Sequence, residues 1–445
     1  MSRPAGHPAP APAGQRPHQS AEPHRRHTFA ALQVHNYRLF FIGQTISLVG
    51  TWMQSIALSW LAFQLSHSGT TIGLVLAVQF LPVLLIGAYG GLIADRLPKR
   101  AVLMATQTAM ALLALLLGIL SVTHVIALWM VFAIAAVLGI VLAVDSPARQ
   151  SFVTELVGDE RVQNAVSLNS VLTNASRAIG PAVAGGLIVS AGVGICFLAN
   201  AASFGAVLVA LFLMRPADLH RTPVVQRRRG QLREGFHYVR ANTGLLLPLM
   251  MMAVIGTLAY EFPVVLPLLA RRSLHGGADT FGALTSAMGA GAVAGGLVVA
   301  TVGVTGLLSL TVAALFFGLA ILAAAGAPSL PTEMVAMLLV GAASIAFMAT
   351  GNSTLQLTTD PSFRGRVMAL WAVTFQGSTP IGGPIVGFVS QHSSPRAGLI
   401  LGGLACLVAA AIGATALHRT PPAQRGGRVR PALMDQRNYE QAHRG

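Results

Sequence analysis

Two ionisable side chains stand deep inside apolar runs, where charge is costly. Glu261, in Leu258-Ala259-Tyr260-Glu261-Phe262-Pro263, lies ten residues before Arg271, about 15 Å of helix from the nearer end of its run. A carboxyl at that depth needs a proton, a cation or water to compensate its charge. Both a proton-coupled step and a charge pair fit it, and it is read here as the one carboxylate well inside a span. Arg177 follows Asn164 by thirteen residues, roughly 20 Å along a helix, too deep to snorkel out. Ser170, Thr173, Asn174 and Arg177 share one helix face through spacings of three and four. Anion binding, coupling and a structural tie between helices, with Glu261 as a partner, all remain open for Arg177.

The elements that must hold these groups follow from composition. The 445 residues are 54% hydrophobic and only 10% charged, with mean hydropathy +0.67, which excludes an ordinary soluble protein. A net charge of +15 has a commoner cause in membrane chains than nucleic acid, namely cations retained in cytoplasmic loops. Apolar runs fall near residues 39–65, 70–94, 101–121, 125–145, 164–190, 194–214, 245–269, 281–301, 305–325, 333–356, 367–390 and 397–417. Each is long enough to cross about 30 Å of hydrocarbon. The expected fold is an all-α membrane protein, twelve transmembrane helices in two pseudo-symmetric six-helix bundles.

The domain reading is a disordered cytoplasmic tail at 1–34, a bundle at 35–214, a connection at 215–244, a second bundle at 245–418 and a basic tail at 419–445. The first 26 residues offer no apolar core for a signal peptidase. With both termini cytoplasmic, every cation except Arg177, Arg271, Arg272 and Arg396 falls on the inner side. Ile179-Gly180-Pro181-Ala182-Val183-Ala184-Gly185 echoes Gly382-Gly383-Pro384-Ile385-Val386-Gly387 half a chain later, as parallel repeats would. Asp145, Glu155, Asp159 and Glu160 border the fourth-to-fifth loop and are expected to pair with Arg149 and Arg161. The histidines are irregularly spaced, so no metal is expected. Both cysteines lie in apolar runs, and no phosphate loop or nucleophile elbow occurs, so neither a cofactor nor an enzyme is expected.

A charge knot, Gly90-Gly91-Leu92-Ile93-Ala94-Asp95-Arg96-Leu97-Pro98-Lys99-Arg100, separates the second and third spans. It resembles the loop signature of the major facilitator superfamily at Gly91, Asp95, Arg96, Lys99 and Arg100, with Pro98 in place of a glycine. Gly180, Pro181, Gly185 and Gly186 resemble that superfamily's antiporter signature in the fifth helix, with Ser176 and Ala184 where it has glycines. Asn36-Tyr37-Arg38-Leu39-Phe40-Phe41-Ile42-Gly43-Gln44 and Leu266-Pro267-Leu268-Leu269-Ala270-Arg271 resemble the enterobactin-exporter, or transmembrane secretion effector, branch.

The resemblance implies proton-driven export of small organic molecules such as siderophores or macrolides, by alternating access in the cell membrane, with protons as coupling ion and a monomeric chain. It also implies a central cavity reached by Gln44, Thr51, Gln54, Asn174, Tyr260 and Asn352. The alternatives are an uptake permease for a small metabolite and a membrane enzyme or signalling subunit without transport.

Overall fold

The computed structural model describes residues 29–158, 160–220, 231–303, 305–360 and 363–419. The first bundle is α1 (His35–Ser66), α2 (Gly69–Arg96), α3 (Lys99–Val122), α4 (Leu128–Val157), α5 (Val162–Ala191) and α6 (Val193–Leu213). A short helix α7 (Gln231–Ala241) precedes the second bundle. That bundle comprises α8 (Thr243–Leu258) with α9 (Phe262–Leu268), α10 (Ala278–Val302), α11 (Leu307–Gly326), α12 (Leu330–Thr358), α13 (Arg364–Gln376) with α14 (Thr379–His392), and α15 (Pro395–Arg419).

Ten of these segments are long and apolar enough to cross a membrane, counting α8 and α9 with the π-helical turn Leu269–Ser273 as one. The polar face of α5 and the break between α13 and α14 keep those two below that measure; with them the crossings number twelve.

The helix boundaries follow from local chemistry. Gly158 and Gly192 end α4 and α5 at φ +68° and +83°, values that a side chain resists. Two spans are broken where a proline enters the first turn of a new segment. Pro263 opens α9 and Pro380 opens α14, and a residue without an N–H leaves a carbonyl of the preceding turn unpaired. The seventh crossing, expected as one helix, is therefore two, with residues 259–261 between them. The eleventh is divided at residues 377–378.

Two further boundaries differ from expectation. The fourth helix runs to Val157 rather than ending near 145, so Asp145 lies within it. Residues 30–33, assigned to the tail, form a 3-10 turn with Ala31 fully buried and its N–H donating to Asn164 Oδ1 at 2.9 Å. The Met1–Thr28 part of the tail and residues 420–445 lie outside the described residues.

The two bundles meet along α2 with α14 and α5 with α10. Glycine sets both contacts: a Cβ on Gly73 would stand 2.1 Å from the Gly383 carbonyl oxygen, and one on Gly185 2.6 Å from Gly282 Cα. These contacts lie in the half of the molecule opposite the chain termini. There Trp60 also stacks on Phe281 across the halves, centroids 5.3 Å apart. The Arg272 guanidinium donates to the backbone oxygens of Gln391 (3.0 Å) and His67 (3.2 Å) and to Gln391 Oε1 (3.0 Å), which also accepts Gly69 N–H.

At the terminal end, the described polar contacts stay within one half. Lys99 pairs with Glu155, while Glu234 pairs with Arg366 at 3.0 Å. Tyr238 of α7 stacks on Phe363 at 4.2 Å, fastening the connection to the second bundle. The glycines of the repeat serve helix contacts in both halves: Gly180 lies against α1 (Trp52 and the Val49 carbonyl), Gly382 against the Thr257 carbonyl of α8, and Gly383, the counterpart of Gly180, against Gly73 across the seam.

Candidate coupling and substrate site

The break at 259–261 turns two consecutive side chains apart. Glu261, 3% exposed, points to the restart of α14. A Cβ on Gly382 would lie 3.0 Å from its Oε1, and one on Gly383 3.5 Å from its Oε2. Thr379 faces the same carboxylate, and Oε1 has no hydrogen-bond partner. Gly383 is the residue on which Gly73 of the other half packs, so the carboxylate backs directly onto the seam between the bundles.

Tyr260 goes the other way. Its hydroxyl donates to the Ser344 carbonyl at 2.7 Å, and its ring meets Phe375 edge-on at 5.4 Å. It is within electrostatic reach of Arg177 on α5. The Arg177 guanidinium lies over the Trp52 ring, 4.8 Å from the centroid, an attractive cation–π arrangement. Gly180, one turn on, permits this approach, since a Cβ there would stand 2.4 Å from Trp52 Cβ. The Arg177 Nε is buried without a hydrogen-bond partner, and no ion pair joins Arg177 to Glu261 among the described residues. The charge pair that the sequence left open is absent.

The remaining candidates separate. Gln54 is buried, and its Oε1 accepts from Asn200 Nδ2 at 2.7 Å, tying α1 to α6. Thr51 is exposed and donates to Ser47 O at 2.8 Å. Gln44 is buried with Nε2 unpartnered, and half-buried Asn352 accepts from Gln356. The Asn174 and Asp95 side chains and the surroundings of Gly91 lie outside what the structure describes. Of the charge knot, Arg96 is exposed. Arg100 Nε donates to the Leu211 carbonyl at 2.7 Å, at the end of α6, where a cation complements the helix dipole. Pro181 is buried, whereas Gly186 is exposed and has nothing within 4 Å of a Cβ.

Two expectations are corrected. Glu155 pairs with Lys99, not with Arg149 or Arg161, because the extended α4 carries it alongside α3. Glu261 is not alone as a buried carboxylate within the spanning helices: Asp145 is 1% exposed and accepts Thr106 Oγ1 at 2.7 Å and Gln107 Nε2 at 2.9 Å, with Arg149 3.7 Å away. The Asp145–Arg149 spacing of four was the available signal that the helix continues. Glu333, on α12 near Arg396, is also fully buried.

The family model described as transmembrane secretion effector matches residues 26–426. The chain belongs to the transmembrane secretion effector family of major facilitator transporters. It is 30% identical over 217 residues to an uncharacterized MFS-type transporter of Bacillus subtilis (strain 168), an alignment covering 48% of this chain and 51% of the relative. It is 26% identical over 249 residues to the staphyloferrin A transporter of Staphylococcus aureus (strain NCTC 8325 / PS 47), covering 55% and 62%. The chain thus spans between half and two thirds of these relatives' lengths. The solved structure of a bacterial homologue of the human lysosomal transporter Spinster, inward-facing and unoccupied, shares the fold with TM-score 0.70 and 15% identity, covering 88% of this chain and 98% of that one. That family is one of multi-pass membrane proteins of the major facilitator type.

Proposed function

We propose that the chain exports small organic molecules from the cytoplasm in exchange for protons, by rocking its two halves around the broken helices at mid-depth. The observation that carries this reading is the position of Glu261. It sits at a helix break and touches, through Gly382 and Gly383, the same strip of α14 that α2 packs upon. A carboxyl there couples its own charge state to the seam: ionisation calls for water or a cation, and admitting either requires α14 to move. Gly185 of the antiporter-like stretch of α5 forms the second seam with Gly282, and the direction of transport rests on that resemblance and on the family's description.

Both termini and the 215–244 connection are assigned to the cytoplasm, so the structure corresponds to the state closed toward the outside. The deciding experiment is counterflow in proteoliposomes with an imposed pH gradient, across a panel of siderophores, macrolides and other organic cargoes. Cargo flux should follow the proton gradient in the antiport sense. Flux in the symport sense would make the protein an uptake permease, and no proton-linked flux for any cargo would remove the transport mechanism proposed.

A further inference from the structure

We infer that Arg177, Trp52 and Tyr260 form a binding subsite for an organic anion, its carboxylate or other oxyanion on the guanidinium and its aromatic or conjugated body against the rings. The inference rests on the reading of this mid-depth region as the cargo site and adds the chemical class of the cargo.

Three observations lead to it. Arg177 carries a charge deep in a span, yet the ion pairs among the described residues join Lys99 to Glu155, Arg149 to Asp145 and Arg366 to Glu234, and none reaches it. Such a cation requires an anion or water. Its position is built rather than incidental: the guanidinium lies over the Trp52 ring, and Gly180 lets α5 approach α1 at Trp52, where a Cβ would stand 2.4 Å from Trp52 Cβ. A guanidinium lying over an aromatic ring keeps N–H donors for an acceptor beside that ring, and a carboxylate can accept two of them in bidentate fashion. Finally, the groups come from both halves. Trp52 and Arg177 belong to α1 and α5, while Tyr260 sits at the break of the seventh crossing with its hydroxyl already committed to Ser344. Tyr260 therefore offers a ring rather than a hydrogen bond, within electrostatic reach of Arg177, so an anion seated between them would engage both moving bodies.

The test uses the purified full chain in detergent and three probes of one shape: 1-naphthoate, 1-naphthamide and 1-naphthylmethylammonium. Titration calorimetry should show naphthoate binding about tenfold or more tighter than the amide, the gain expected of one charge-assisted contact, and the ammonium weakest. Arg177→Gln should abolish that preference, Arg177→Lys should retain part of it, and Trp52→Leu should weaken acid and amide together. Unchanged elution and melting temperature in Arg177→Lys guard against misfolding. Equal affinity of wild type for acid and amide, no naphthoate binding, or a preference surviving in Arg177→Gln would each overturn the inference. Counterflow of a neutral or cationic cargo, with equal probe affinities, would refute the subsite and leave proton-coupled transport standing. Acid-selective binding without proton-linked flux would do the reverse.

Discussion

Glu261 and Asp145 are both buried carboxylates within the spanning helices, but their neighbours give them different work. Asp145 accepts two side-chain hydrogen bonds and lies beside Arg149 on the same helix, so it ties α3 to α4. Asp145→Asn should lower stability by about 1–3 kcal/mol, the cost of disturbing buried partners, measured as a shift in melting temperature. The pH dependence of transport should stay as in wild type. Each carboxylate has one oxygen without a hydrogen bond, but Glu261 is walled by glycines with Thr379 as its polar neighbour, and no ion pair among the described residues locks its charge. Glu261→Gln keeps the volume and removes the titration. Proteoliposomes carrying it should lose gradient-driven accumulation while retaining energy-independent exchange. Accumulation with an unchanged pH profile would move the proton elsewhere. The depth of Glu261 was legible from spacing alone, but its partners were not. The natural guess, Arg177, is 84 positions away in the chain and proves to lie over the Trp52 ring instead.

At the scale of the elements, the seams between α2 and α14 and between α5 and α10 close because glycines face each other. Gly73→Ala would place a methyl 2.1 Å from the Gly383 carbonyl oxygen. Overpacking of this kind costs about 1–3 kcal/mol, borne only by the state in which the seam is shut. The populations should shift toward the opposite state by about tenfold or more. Nitroxide labels at Val125 and Pro328, on the connections opposite the termini, should report a longer distance by pulsed EPR. Gly186→Ala, with nothing within 4 Å, should leave it unchanged. Arg272 fastens the same end through Gln391 and the His67 carbonyl. Being exposed, it is partly screened, so Arg272→Ala should produce a smaller lengthening in the same direction. Of this layer, the glycine repeat and Pro263 were visible in the sequence. Which glycine meets which could not be read there, because it depends on where separate helices cross.

For the whole molecule, two six-helix bodies joined by a connection that α7 clasps to the second body suit a rocking motion about the mid-depth breaks. The topology predicts that single cysteines at Gln226 and near Gly445 are shielded from an impermeant thiol reagent in intact cells and react once the membrane is opened. Labelling from outside would invert the assignment. The crossings, their alternation and the two-body repeat were determined by the sequence itself, because partition into lipid is a sum over neighbouring residues and the retention of cations depends on loop charge alone. The tertiary structure decided what depends on residues far apart in the chain. Lys99 reads as a loop cation near water, but the lengthened α4 brings Glu155 to it and leaves little of either side chain exposed. Gln54 reads as a cavity residue on a polar stripe, but Asn200, 146 positions away, takes it into a helix contact. Whether a polar side chain within a span faces a cargo, a proton path or only its neighbour is set by the close packing of helices that local hydropathy does not encode.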